Sequence, residues 1–410
     1  MTELDFAKKI HALGGRAYLV GGAVRDKFRG VNAHDRDYCV TGVDENIFAE
    51  AFPNAAKYGK SFPVYSVEID DAFCEVAFAR TERKISAGYR GFEVTFAPSV
   101  AIEQDLFRRD TTINAMAIEL LSGELVDPFG GREDVLAKRI RAVSEHFTDD
   151  PVRALRAARQ AAQFNFEICA ETIAAMNRCG TELADEPAER IFDELETALK
   201  TDCPSIFFRC LERAGLLEII FPEIANLRGK IQPTAFHPEG DAYEHTLQVV
   251  DAVSKLNPKP MIRFAAMMHD IGKGTTPPEM LPHHYRHEQR GLEVLNRMSR
   301  RLPLPGEWKK SAAFVIREHM RAPRLAKPGK IVELLLKLHG LKLGVKDFCD
   351  IIRVDNHGLP PYLEHAQEII DELLKIGGKD APPELEGADI GKWIRAARIQ
   401  RYVELYAKES

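Results

Sequence analysis

No apolar run in the 410-residue chain approaches the 18 residues of a membrane span. The opening stretch MTELDFAKKIHALGG also lacks a signal-peptide core, because charges fall among its apolar positions. No membrane association and a cytoplasmic location are therefore the expectation. The seven cysteines (39, 74, 169, 179, 203, 210, 349) are odd in number and contain no C-x-x-C pair. That argues against a disulfide framework and against a thiolate zinc site. Internal repeats and low-complexity tracts are missing as well. Excess positive charge is lacking, the net value being −6. The total does not exclude a nucleic-acid partner, since local basic stripes decide where phosphate binds. Three stripes exist: Arg153, Arg156 and Arg159; Lys309 to Lys330; and Lys392, Arg395, Arg398 and Arg401.

What is present is an ordinary globular composition, 45% hydrophobic and 29% charged, in a length that suits roughly two to four domains. The first 140 or so residues carry period-two runs such as AYLVGG, DRDYCVTG, FPVYSVEI, FCEVAFA and FEVTFA, mixed with helical stretches. From about residue 142 the periodicity is helical almost throughout, with Pro151 suited to a first helical turn. A Gly/Pro-containing connector, NLRGKIQPTAFHPEGDAY, precedes a further helical region from Tyr243. An α+β head followed by helical domains is the expected architecture.

Chemistry concentrates first in YLVGGAVRDKFRGVNAHDRDYCV, residues 18–40. Alternation along a strand would point Asp35 and Asp37 to one face. Two neighbouring carboxylates repel unless a cation neutralises them, and Mg²⁺ binds through one or two carboxylates plus substrate phosphates. Gly21 and Gly22 close a strand and open a helix, where free N–H groups and close backbone approach suit an anion. Arg25 can add a bidentate phosphate contact. A lone D-x-D is more often a solvated turn; the combination with GG-x-x-R-D is the informative feature.

LVGGAVRD followed by HDRDYCV resembles the head of class II tRNA nucleotidyltransferases, the CCA-adding enzymes and their poly(A) polymerase relatives. Further pieces stand in that family's order: ARTERKISAGYRGFEV (79–94) resembles a mobile loop, RRDTTINAMA (108–117) and DPFGGREDV (127–135) match two blocks, and DDPVRALRAAR (149–159) and ERIFDEL (189–195) match two more. The resemblance spans essentially the whole chain. It implies a polymerase-β-type head, with Asp35 and Asp37 holding Mg²⁺ while a tRNA 3′-hydroxyl attacks the α-phosphate of CTP or ATP. Glu75 is the implied third carboxylate. Gly22, Arg25 and Arg109 would contact the nucleotide, Gly21 would let the backbone close on the triphosphate, and Asp110 with Asn114 would lie near the ribose.

Asp150 and Arg153 are three apart on an expected helix and so share a face. By spacing alone they would form an i,i+3 salt bridge. The resemblance assigns them base reading instead, with Arg156 nearby: a carboxylate accepts from the exocyclic amine of C or A, and a guanidinium donates to ring nitrogen or carbonyl. The family's glutamate before Asp150 is Asp149 here.

A second series lies downstream: His245, His269-Asp270 in HDIGKG, His283, His284 and His287, His319, and Asp355. Single histidines on apolar helix faces are usually satisfied core residues, and for His283 and His284 a solvated loop is an equal reading. Together the series resembles the HD phosphohydrolase domain. That resemblance implies His245, His269, Asp270 and Asp355 as ligands of a divalent transition metal, Ni²⁺ among the candidates. His287 and His319 would be second-site ligands or phosphate contacts, and Lys273 a phosphate partner. An attached HD domain marks the multifunctional bacterial type, with 2′,3′-cyclic phosphodiesterase, 2′-nucleotidase and phosphatase activities.

The expected domains are a nucleotidyltransferase head (1–141), an all-α neck and body (142–226), an all-α HD domain (227–360) and a C-terminal helical tail (361–410) available for tRNA contact. The expected partners are a tRNA 3′ end, CTP and ATP, in a monomer or homodimer. The rivals are a poly(A) polymerase or partial CC- or A-adding enzyme, and an HD phosphohydrolase whose head only binds RNA. The HD series argues against the first of these, the 79–94 loop against a CC-only enzyme, and the intact Asp35 and Asp37 against the last.

Overall fold

The computed structural model describes residues 1–32, 35–58, 62–86, 91–233 and 238–406. His34 and residues 87–90 of the 79–94 segment lie outside them. The chain divides into two compact units, Met1–Glu194 with Ile206–Ile220, and Leu195–Ser205 with Phe221–Ser410.

The first unit is built on a seven-stranded mixed sheet. Its strands are β1 (Arg16–Val20), β2 (Asp37–Thr41), β3 (Ala56–Tyr58), β4 (Val64–Ile69), β5 (Ala72–Phe78), β8 (Ala117–Glu119) and β9 (Leu125–Val126). Their spatial order is β3-β4-β5-β2-β1-β8-β9, and a separate hairpin pairs β6 (Arg80–Lys84) with β7 (Phe92–Phe96). The helices of this region are α1 (Glu3–Ala12), α2 (Gly22–Arg29), α3 (Glu45–Ala51), α4 (Ile102–Phe107), α5 (Gly131–Leu136) and α6 (Arg153–Phe164).

Alternation sorts the side chains of the sheet into two cores. On one face Tyr38, Val40, Val76 and Phe78 pack with Phe6 and Ile10 of α1 and Phe48 of α3. On the other, Tyr18, Val20 and Cys39 pack with Ile102 and Leu106 of α4. The Thr2 hydroxyl caps α1 through the Asp5 N–H at 3.1 Å, which orients the buried Phe6–Ile10 stripe. β1 pairs antiparallel with β2, Val20 facing Asp37, and β2 pairs parallel with β5, Asp37 facing Glu75. The region after residue 142 is helical, apart from Glu167–Ile168, which pairs in parallel with Arg139–Ile140.

The second unit is helical. Its central helix, Pro260–Met268, is apolar on nearly every side, and Ile262 through Met268 are all buried. Buried Arg263 on that helix is satisfied by four backbone carbonyls, those of Asn257, Leu199, Thr201 and Ser254. Around it lie the helices Ala242–Leu256, His287–Arg301, Gly306–Glu318 and Val345–Asp355. A 3₁₀ turn, Ile271–Thr275, follows the central helix and presses on His287–Arg301. Only glycine fits at position 272, because a Cβ there would stand 1.9 Å from the His287 carbonyl oxygen and 2.5 Å from the Gly291 nitrogen. Among the described residues no helix is long and apolar enough to cross a membrane.

Candidate functional site

Two groups of chemistry-bearing side chains are assembled, one in each unit. In the first unit a cavity of about 870 Å³ is lined by Gly21, Gly22, Arg25, Asp37, Glu75, Arg109, Asp110, Asn114, Asp150, Arg153 and Arg156, among others. Register places Asp37 and Glu75 side by side on adjacent strands. Asp35 precedes β2, so strand alternation does not fix its direction, contrary to the sequence expectation. Loss of hydration in the cavity, then the charges of Glu75 and Asp35, hold the Asp37 carboxyl above the usual carboxylate range, against the pull of Arg109. Asp37 and Glu75 thus stand together at the cavity wall.

The turn from β1 into α2 forms one wall. Gly21 has φ +65°, and a Cβ there would fall 2.7 Å from an Arg109 guanidinium nitrogen. Glycine thus lets Arg109 lie against the backbone, where it donates to the Asn114 carbonyl at 3.1 Å and to Asp105 at 3.0 Å. Buried Asp105 also holds Arg108 at 2.7 Å. Arg25 donates to the Asn114 side chain at 2.6 Å and lies over the Phe164 ring, while its fork is already engaged with Asp26 at 3.0 and 3.1 Å.

Asp110 is the buried hub of the opposite wall. It accepts from the Thr111 N–H at 2.8 Å, from Arg156 at 2.8 Å and from Gln160 at 2.9 Å. Burial opposes its charge, but Arg156 and these bonds outweigh it and keep its pKa well below the ordinary value. Asp110 in turn raises the Arg156 pKa.

Asp150 and Arg153 both line the cavity, yet they do not share a helix face. Asp150 is extended (φ −114°, ψ 104°), as a residue before proline must be, and α6 begins only at Arg153, so Pro151 lies in the preceding turn. The intrahelical salt bridge that spacing alone suggests is therefore not formed. Arg190 grips Asp150 through both carboxylate oxygens, at 3.0 and 2.8 Å. Arg153 donates to the carbonyls of His146 and Arg108, each at 2.7 Å. Asp149 pairs with His146 at 2.8 Å.

In the second unit His245, His269, Asp270, His287, His319 and Asp355 converge. His245 Nε2 lies 3.1 Å from Asp355, and His269 Nε2 lies 3.2 Å from Asp270 Oδ2 and 3.4 Å from Asp355. His287 and His319 place their Nε2 atoms 3.2 and 3.3 Å from the other Asp270 oxygen, Oδ1. Asp270 therefore bridges two ligand groups, His245–His269–Asp270 and Asp270–His287–His319.

These residues fit divalent cations. Nδ1 of His269 faces the Ala266 carbonyl at 2.7 Å, that of His287 the His284 carbonyl at 2.9 Å, and that of His319 the Ile316 carbonyl at 3.1 Å. Nδ1 of His245 faces the Glu239 carboxylate at 2.6 Å. Carbonyls and carboxylates only accept, so each Nδ1 carries the proton and each Nε2 offers a lone pair. Yet two Nε2 atoms face one another at 3.3 Å (His245, His269) and two at 3.2 Å (His287, His319), while buried Asp270 Oδ1 has no hydrogen-bond partner. Facing lone pairs repel; a cation between them removes the conflict and supplies Oδ1 with a partner. Against the effect of burial, Asp270 and Asp355 favour positive charge at His269.

Lys273, expected as a phosphate partner, is bonded to Asp270 Oδ2 and to Gln232, both at 2.5 Å. His284 lies between the Thr276 hydroxyl and the Ile231 carbonyl, and burial pushes its pKa down to about 4. It serves the fold there, whereas His283 is exposed.

Four residues of these sites escaped the sequence reading: Asp105, Gln160, Arg190 and Glu239. Asp105 carried a signal, since it stands three and four residues before Arg108 and Arg109. Arg190 lies inside the quoted ERIFDEL block. Gln160 and Glu239 carried none that spacing could expose.

Residues 17–141 match the poly A polymerase head domain, 165–227 the probable RNA and SrmB-binding site of polymerase A, and 242–353 the HD domain. A multifunctional CCA protein of Methylococcus capsulatus is 44% identical over 415 residues, covering 96% of both chains. One from Thioalkalivibrio sulfidiphilus is 38% identical over 410 residues, covering 96% of this chain and 99% of that one. The crystal structure of a Bacillus stearothermophilus CCA-adding enzyme in complex with CTP shares the fold, with a TM-score of 0.69 and 23% identity over 98% of this chain and 91% of that one.

Proposed function

Because this chain belongs to the multifunctional CCA protein family, we propose that it rebuilds the 3′-terminal CCA of tRNA from CTP and ATP in the head cavity. We propose further that it hydrolyses phosphates at that RNA end through the histidine cluster. The observation that carries the first reading is the pairing of Asp37 with Glu75 at the wall of a cavity whose other walls are rich in arginine.

Asp35, Asp37 and Glu75 would hold Mg²⁺, which when bound neutralises charge on the transferring phosphoryl group and eases deprotonation of the attacking 3′-hydroxyl. Gly21 and Gly22 let Arg109 and Arg25 lie close to the backbone, from where both would donate to triphosphate oxygens. Asp110 and Asn114 would lie near the ribose of the nucleotide. Asp150, fixed by Arg190, keeps lone pairs to accept the exocyclic amine of C or A. Arg153 has five N–H groups and commits two of them to carbonyls, so donors remain for the base. G and U present a carbonyl where C and A present an amine, and would face the Asp150 carboxylate without a donor.

At the cluster, His245, His269, Asp270 and Asp355 would hold one divalent transition metal, Ni²⁺ among the candidates, and His287 and His319 a second through Asp270. Such a metal supplies a water of lowered pKa for attack on phosphorus. Removing a 2′,3′-cyclic phosphate frees the 3′-hydroxyl that the head extends, which gives the two activities one substrate. The segments 1–141, 142–226, 227–360 and 361–410 are the proposed division of labour, and the cytoplasm the proposed location.

The test incubates the protein with tRNAs lacking CCA, CA or A, with CTP, ATP or both, and sizes the products. Growth that stops at CCA is the expected result. Growth beyond three nucleotides would identify a poly(A) polymerase, and no growth under any condition would overturn the reading.

A further inference from the structure

Four imidazoles face the cluster, and their outer nitrogens are not treated alike. Those of His269, His287 and His319 each meet a backbone carbonyl three or four residues earlier in the same segment. That of His245 meets a carboxylate, Glu239 Oε1, at 2.6 Å, with the two side chains only 9% and 11% exposed. Another carboxylate, Glu288, comes near His287 Nδ1, but at 3.7 Å it is beyond hydrogen-bonding distance, and the His284 carbonyl occupies that nitrogen.

The difference has a chemical consequence. An imidazole that donates to an anion is a more basic ligand at its other nitrogen, and the extra negative charge behind it favours a cation in front. The position in front of His245 already has Asp355 Oδ1 and Asp270 Oδ2 close by. The position between His287 and His319 has Asp270 Oδ1 alone. The Lys273 ammonium on Asp270 Oδ2 offsets part of this excess. Two carboxylates in front and a third behind still exceed one.

We propose that Glu239 is a positioning residue that makes the His245–His269–Asp270–Asp355 group the tighter of two unequal cation positions. The inference rests on the metal-binding reading of the cluster. Glu239 holds the His245 ring in one orientation and one tautomer, and it adds charge without touching the ion. The connector that carries Glu239 leads directly into the helix of His245 and is thereby part of the metal centre.

The experiment uses the full chain freed of metal and titrated with Co²⁺ in excess Mg²⁺, so that sites built from oxygen alone are already filled. Visible absorption reports nitrogen-ligated Co²⁺, and calorimetry counts the steps. Wild type is expected to bind in two steps. Glu239→Gln keeps an acceptor for His245 Nδ1 but loses the charge, and should weaken the tighter step by roughly 10–100-fold while leaving the weaker one in place. His245→Ala should remove the tighter step, and Glu288→Gln should change neither. Thermal melts of the full chain, followed by far-ultraviolet circular dichroism, check that the helical second unit of each variant is folded. Equal dissociation constants for wild type and Glu239→Gln, or an equal shift in both steps, would overturn the role of Glu239. If wild type bound no Co²⁺ at all, the metal reading itself would fall, and that result is distinct from the others.

Discussion

The head cavity sets arginines against carboxylates and the histidine cluster sets imidazoles against carboxylates, and the two are organised at different sequence ranges. In the cluster, His269, His287 and His319 are each oriented by a carbonyl of their own segment, three or four residues back. In the cavity Arg109 has a local partner in Asp105, but other orienting partners are far apart in sequence: Arg25 with Asn114, 89 residues on, Arg156 with Asp110, 46 back, and Arg190 with Asp150, 40 back. Local pinning makes a ligand set whose geometry follows from helix ends. Distant pairing makes a wall whose geometry exists only once sheet and helices have docked, and whose charged groups are engaged with each other before any substrate arrives.

The largest effect should separate the two regions outright. Asp37→Ala is expected to lower nucleotide incorporation about a thousandfold, in line with the several kcal/mol a cation supplies to phosphoryl transfer, and to leave 2′,3′-cyclic phosphate hydrolysis unchanged. His269→Ala should do the reverse. Loss of both activities in either variant would mean that the regions do not work independently.

Next comes the cavity's dependence on its buried hub. Asp110→Ala removes the nearer partner of half-exposed Arg156, leaving Glu194 at 3.9 Å, and should cost about 1–3 kcal/mol of stability near neutral pH. The folded-state pKa of Asp110 is lowered, so its contribution is complete above the unfolded value of about 3.9 and fades as the pH falls below it. Denaturant melts of wild type and variant should therefore converge on acidification. A gap that stayed constant with pH would assign the loss to packing instead.

Gly21→Ala tests the backbone approach. Its φ of +65° and the 2.7 Å contact with Arg109 predict a loss of about 1–3 kcal/mol and a higher KM for CTP and ATP, with no change in hydrolysis. The smallest effect belongs to Arg190→Ala. Freed from its clamp, Asp150 should discriminate C and A from U less well, by about tenfold in the ratio of kcat/KM, with CTP incorporation itself little changed. Unaltered discrimination would show that Arg190 supports the fold and not the reading of the base.

This contrast also explains what could be read from the sequence. The strands carrying Asp37 and Glu75 were legible because alternation is local, and the helical second half because its period is local. Where a local rule was extended past an element's end, it failed: Asp35 precedes its strand, and Pro151 keeps Asp150 extended and outside the helix of Arg153. The clamp of Arg190 on Asp150 had no local signature, because it joins segments whose proximity is set by tertiary packing. Glu239 is near His245 in sequence but stands outside the helix Ala242–Leu256, so helical periodicity does not pair them.

Gly272 gives the histidine cluster a further property. The turn that follows Asp270 passes so close to the helix beginning at His287 that no side chain fits between them. The separation of the two ligand groups is therefore set by main chain against main chain, not by the rotamers of the ligands. Alanine at 272 would leave every imidazole and carboxylate in the sequence and still force the bridge at Asp270 apart. The centre can be switched off from a position that touches no ion, so an inventory of ligands is not a sufficient test of whether such a site works.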